Sequence, residues 1–125
     1  MSTISRREAR RAAVFILFQS DVTGRPLGSL YDGDVDPYTE RLAHSVSEHA
    51  EALDARITAA ATDWTADRLG AVERNVLRVA LEELDEREVP VEVILDEAVS
   101  LAKRYASEDA AKLVNGILGR IVRER

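Results

Sequence analysis

A chain of 125 residues is the size of one ordinary domain, and its 46% apolar content is enough to build a core. It contains no cysteine, which excludes disulfides, thiolate metal sites and a cysteine nucleophile. The net charge of −6 argues against a generic polyanion binder. Yet five arginines against Glu8 and Asp21 leave the first 25 residues at +3 and the remaining hundred at −9. That asymmetry points to contact between the N-terminal arm and nucleic acid or an acidic surface.

Residues 5–21 read as a helix capped by Ser5, with Ala9, Ala12, Ala13, Ile16 and Leu17 on one face at helical period. Arg6, Arg7, Arg10 and Arg11 share an adjoining face, which Val14 and Phe18 continue, so a basic stripe runs into an aromatic ring. The apolar run Ala12 to Phe18 is at the lower length limit for a signal peptide, and no cleavage motif follows closely. No run approaches the roughly 20 residues that span a bilayer. A cytoplasmic protein without membrane contact is expected.

Residues 22–37 are rich in Gly, Pro and Asp and read as a loop. A second helix is expected from Tyr38 to about Ala61, burying Leu42, Val46, Ala50, Leu53 and Ile57. Trp64 sits at a junction, read as an interhelical plug, and Thr65 to Arg68 as a turn of helix. A third helix runs from about Ala71 to Glu86, with Leu69, Val72, Val76, Ala80 and Leu84 as its stripe and Arg74 and Arg78 on another face. Val89-Pro90 ends it, because the residue before proline avoids the helical region. The fourth helix opens at Pro90 or Val91 and contains Ile94, Leu95, Ala98, Leu101, Ala102 and Tyr105. Ser107 caps a fifth, Glu108 and Asp109 suit its positive end, and Val114, Ile117, Leu118, Ile121 and Val122 face the core. The pattern is all-α.

The arginine stripe has two readings: a phosphate and base contact made by guanidinium forks, or a solvated helix face. Asp96, Glu97, Glu108 and Asp109 do not form a catalytic set: the first two point apart and the others suit helix capping. His44 and His49 are five apart, off the register of a metal pair, and read as surface residues. No catalytic residue, metal or cofactor is expected. Lys112 and Asn115 share a helix face. Gly116 beside them is either a site of close helix packing or part of a small open surface.

In order and spacing, these segments resemble the NusB family of bacterial transcription antitermination factors. The resemblance rests on Arg6-Arg7-x-Ala9-Arg10, then Val72-Glu73-Arg74-x-Val76-Leu77-Arg78-Val79-Ala80-Leu81-x-Glu83-Leu84. Val89-Pro90 and Glu97-Ala98-Val99-x-Leu101-Ala102-Lys103 follow, and Glu108-Asp109-x-x-Lys112-x-Val114-Asn115-Gly116-Ile117-Leu118 closes the set. It covers nearly the full chain and implies one compact domain, residues 1–125, of two small antiparallel helix bundles, with no enzymatic activity. It further implies binding to the boxA segment of nascent ribosomal-RNA leader transcripts together with NusE, a protein of the small ribosomal subunit. Other Nus factors and RNA polymerase are engaged indirectly. RNA-binding residues carried over are Arg6, Arg7 and Arg10 at the start, joined by Arg11 from the same stripe, with Asp109, Lys112 and Leu113 on the last helix. Phe18, Glu73 and Arg78 match positions at or near the protein and RNA contact surfaces. Phe18 stands where tyrosine is familiar and Leu113 where an aromatic is usual, so binding by this chain alone is expected to be weak and to be reinforced by the partner. The same domain occurs fused to RNA cytosine methyltransferases, an activity this chain lacks the nucleophile and cofactor loop for. A homodimeric, self-associating helical module with little RNA binding is the alternative.

Overall fold

The computed structural model describes residues 4–31, 33–61 and 69–125. Five α-helices follow one another: α1 (Arg6–Thr23), α2 (Pro37–Ala60), α3 (Ala71–Glu86), α4 (Val91–Tyr105) and α5 (Glu108–Glu124). No strand occurs among the described residues, as the helical periodicity predicts. Trp64 and the expected turn at Thr65 to Arg68 lie outside the described residues.

Local chemistry sets the helix starts. The Ser5 hydroxyl accepts from the Glu8 amide at 3.1 Å, and the Glu8 carboxylate accepts from the Ser5 amide at 3.3 Å, a reciprocal capping box. α2 starts one residue earlier than the sequence reading, because Pro37 occupies its first position, where no amide is required. Asp36 caps it, accepting from the Tyr38 amide at 3.0 Å. The Glu73 carboxylate accepts from the Gly70 amide at 2.9 Å, and Ser107 from the Ala110 amide at 2.9 Å. At the far end of α1, Gly24 adopts φ of 75°, the left-handed cap that glycine allows. The preceding loop contains one short 3-10 turn, Leu27–Ser29, which the composition did not announce.

α1, α2 and α3 pack on one another, and α4 pairs with α5 against α3. One apolar cluster runs through all five helices. α3 touches each of the other four, and every residue from Asn75 to Leu84 is buried. The expected one-sided stripe on α3 is therefore corrected: a helix surrounded on all sides has no outer face for Arg78, Glu82 and Glu83.

Each buried polar group on α3 has partners from its neighbours, as it must to avoid a large desolvation penalty. Glu83 has no exposed side-chain surface. It receives the Arg10 guanidinium of α1 through Nε and through Nη2, the latter at 2.9 Å, and the Tyr38 hydroxyl of α2 at 2.7 Å. Arg78 donates to both oxygens of Asp54 on α2 at 2.7 and 2.6 Å, to Asp21 on α1 at 3.0 Å and to Asn75 at 3.1 Å. Burial disfavours the charge on Arg10 and on Arg78, but hydrogen bonds and acidic neighbours outweigh it, so both pKa values lie above the ordinary arginine value. Burial and the Glu83 bond likewise push the Tyr38 phenol up. Glu82 accepts from Ser45 Oγ at 2.7 Å and lies 3.0 Å from His49 Nδ1.

The arginine stripe is thus not one surface. The Arg10 side chain is 5% exposed and Val14 lies in the core. At about 100° per residue the row Arg10–Val14–Leu17 turns inward beside Ala9 and Ala13, which four-residue spacing alone does not reveal. Removing one member of a buried ion pair strands the other. Arg10→Ala or Glu83→Gln is therefore expected to cost about 3–5 kcal/mol in urea unfolding, while Arg7→Ala costs under about 1 kcal/mol.

His49 and His44 are exposed, as expected, and His44 pairs only with Glu48 on its own helix. The hydrogen bond that His49 donates to Glu82 raises the His49 pKa above 6.5. Its stabilising contribution is full below about pH 6.5 and fades as pH rises through the higher folded-state value. Melting temperatures of the wild type and His49→Gln should accordingly diverge most near pH 5.5 and converge near pH 8.5. A gap independent of pH would show that His49 acts by packing alone.

Candidate nucleic-acid interface

The capped first turn of α1 presents Arg6 and Arg7 to solvent. Arg7 is 69% exposed along its side chain, and its Nε is held at 2.5 Å by Glu97 of α4. Eight residues further along both helices, Phe15 meets Tyr105 edge to face with ring centroids 4.7 Å apart. These two contacts, both advancing by eight residues, join α1 to α4 through long side chains, with the two helices running in the same direction. Arg11 lies between them on α1, half-buried, and its buried Nε has no hydrogen-bond partner. On α4, the Arg104 guanidinium stands 5.3 Å from the centroid of the Tyr105 ring.

Tyr105 is a surface residue, at 37% exposure. The four-residue step from Leu101 carries it past the end of the apolar cluster, where Phe15 is its support. Between α4 and α5 runs an open groove of about 300 Å³ lined by Val99, Lys103, Glu108, Ala111, Lys112 and Asn115. Asp109 and Lys112 are exposed, and Leu113 is half-buried against the core. Among the described residues no carboxylate pairs with Arg6, Arg11, Arg104 or Lys112. Cations whose charge is not locally neutralised, set beside aromatic rings, suit phosphates and stacked bases.

The structure brings Arg7 and Arg11 to this α1–α4 side, sets Arg6 on the α2 side over Tyr38, and buries Arg10 between them. Phe18 is half-buried. Glu73 is engaged in capping α3, and Arg78 is locked into the Asp54–Asp21–Asn75 network. Phe15 and Arg104 escaped the sequence reading, although an aromatic one turn beyond Arg11 was a usable signal. Gly116 is exposed, and a Cβ added there would meet nothing within 4 Å, so close helix packing is not its role. No group of three His, Asp or Glu able to hold a metal occurs among the described residues, nor does any described helix have the length and apolarity to cross a membrane.

The model of the NusB family matches residues 7–123. The chain belongs to the NusB family. It is 43% identical over 122 residues to the transcription antitermination protein NusB of Rubrobacter xylanophilus, spanning 92% of this chain and 88% of that protein. Among solved structures, T. maritima NusB superposes with a TM-score of 0.86 at 36% identity, covering 99% of this chain and 94% of that one. A crystal structure of the antitermination factors NusB and NusE in complex with double-stranded RNA gives 0.85 at 31% identity, covering 96% and 97%. The five-helix arrangement is therefore that of the family.

Because Gly116 lies within α5 with open space around it, Gly116→Ala should stabilise the protein by about 0.5–1 kcal/mol through the lower entropy of the unfolded chain. Chemical denaturation of the variant measures this directly; destabilisation would mean the position carries a contact after all.

Proposed function

We propose that this chain is a transcription antitermination factor that binds boxA-type RNA of nascent ribosomal-RNA leader transcripts together with NusE. The pair then joins the other Nus factors on RNA polymerase, which places the protein in the cytoplasm. The observation that carries the reading is the α1–α4–α5 surface: a set of cations without carboxylate partners, beside an aromatic pair, on a chain that is otherwise strongly acidic. A relative that forms a complex with NusE and RNA supports it.

In this reading Arg6, Arg7 and Arg11 contact phosphates, and Asp109, Lys112 and Leu113 border the RNA on α5. Arg10 acts from beneath, fixing α1 on Glu83, and does not touch the RNA. Phe18 and Glu73 lie toward the NusE contact, while Arg78 supports that surface by holding α1, α2 and α3 together. The chemistry required is recognition and positioning. No bond is made or broken.

The basic surface is small, so few phosphates are engaged and the chain alone binds weakly. A basic partner on the acidic body extends the track, and reciprocal coupling then tightens both contacts by about 1–3 kcal/mol. The test is a gel-shift titration of a boxA-type RNA over 50–200 mM salt, with and without saturating NusE. NusE should raise RNA affinity roughly 5- to 150-fold. Arg7→Ala/Arg11→Ala should reduce the salt slope by about 0.7 per lost phosphate contact. Equal affinities with and without NusE, together with a stable dimer in sedimentation, would establish the self-associating module instead.

A further inference from the structure

Tyr38 sits at the second position of α2, directly across from the start of α1. Its hydroxyl is fixed to Glu83 at 2.7 Å, which anchors the ring from below. The Arg6 guanidinium carbon lies 4.0 Å from the centroid of that ring. Arg41 lies 5.0 Å from it but is restrained elsewhere, by Glu86 at 2.6 Å. Arg6 has no such carboxylate; the ring is its restraint. Beside them an open pocket of about 420 Å³ is lined by Ile4, Ser5, Arg6, Ala9, Asp36, Pro37 and Tyr38.

We propose that Tyr38 is a positioning residue that holds the Arg6 guanidinium over its ring at the RNA face. The inference rests on the RNA-binding reading of the arm. A guanidinium held over an aromatic ring is restrained by cation–π attraction, and although Arg6 also hydrogen-bonds the Tyr38 side chain, its five N–H donors leave others to fork onto a phosphate. A side chain already held there loses less rotamer freedom on binding. The anchoring also links two functions of one residue. The same Tyr38 that completes the Glu83 site in the interior sets the direction of the outermost cation of the arm.

The test is a double-mutant cycle in affinity for a boxA-type RNA oligonucleotide with saturating NusE, read at several salt concentrations. Circular dichroism checks that each variant is folded. Tyr38→Leu should weaken binding roughly two- to fivefold, the size of one exposed cation–π contact. Tyr38→Phe, which keeps the ring, should retain wild-type affinity even though it loses the Glu83 bond and melts earlier. Arg6→Ala should weaken binding with a salt slope lower by about 0.7, and adding Tyr38→Leu to it should cause no further loss. Where leucine unfolds the chain, Tyr38→Gln, which offers a donor but no ring, takes its place and should match the expected leucine result. Unchanged or tighter binding by the ringless variant while Arg6→Ala weakens it overturns the inference and leaves the RNA reading standing, as do multiplicative losses in the double variant. Wild-type affinity in Arg6→Ala overturns the RNA role of this arm, and the inference with it.

Discussion

Glu83 is a carboxylate with no access to water, placed near the C-terminal end of α3, a helix that other helices enclose. Such a group is tolerable only if several donors arrive at once, and here they come from two different helices, Arg10 from α1 and Tyr38 from α2. A buried ion pair is a poor source of net stability, since desolvating two charges offsets their attraction. What it supplies is a steep penalty on misplacement. If α1 rotates or slides, both Arg10 and Glu83 lose their partners. The Arg78 network does the same at the middle of α3, where Asp21 and Asp54 close on one guanidinium. Two polar locks therefore fix the register and rotation of α1 against α3.

That fixing sets where the N-terminal arginines stand. With Arg10 turned inward, Arg7 and Arg11 flank it on the side of α4, and Arg6 lies over Tyr38. The cations of one short segment thus divide into a buried anchor and a more exposed set, to which the proposed function assigns the RNA contact, and the anchor determines where that set points. The α4 side completes the surface. Glu97 holds Arg7, and the Phe15–Tyr105 contact closes the other end of the α1–α4 seam. Family membership adds that this arrangement belongs to a class of proteins named for transcription antitermination, and that a relative of the same fold forms a complex with NusE and RNA.

Much of the fold was legible because the helices announce themselves locally. Ser5 and Ser107 cap where the sequence places them, and the stripes of α2 and α5 are buried at Leu42, Val46, Leu53, Ile57, Val114, Ile117 and Leu118. What stayed hidden were the properties that depend on neighbours. Periodicity assigns α3 a polar face, and only its central position removes that face. Arg10 looks like Arg6, Arg7 and Arg11 in sequence. Its difference lies 73 residues away, in Glu83. Tyr105 follows the apolar register of α4 yet emerges beyond the core, and Gly116 lies in open space where a contact was as plausible from its neighbours. Candidate contact residues on α1 and α5 were readable from charge and family order, whereas their supports, Tyr38, Glu83 and Glu97, required the tertiary structure.

The division of the arginines into one anchor and a binding set can be read directly from the side-chain Nε–Hε resonances of the arginines by NMR, with RNA and NusE added stepwise. Arg10 should give a resonance protected from solvent exchange that RNA leaves in place, while those of Arg6, Arg7 and Arg11 shift on binding. An Arg10 resonance that exchanges freely with water, or that moves with the other three, would contradict the account.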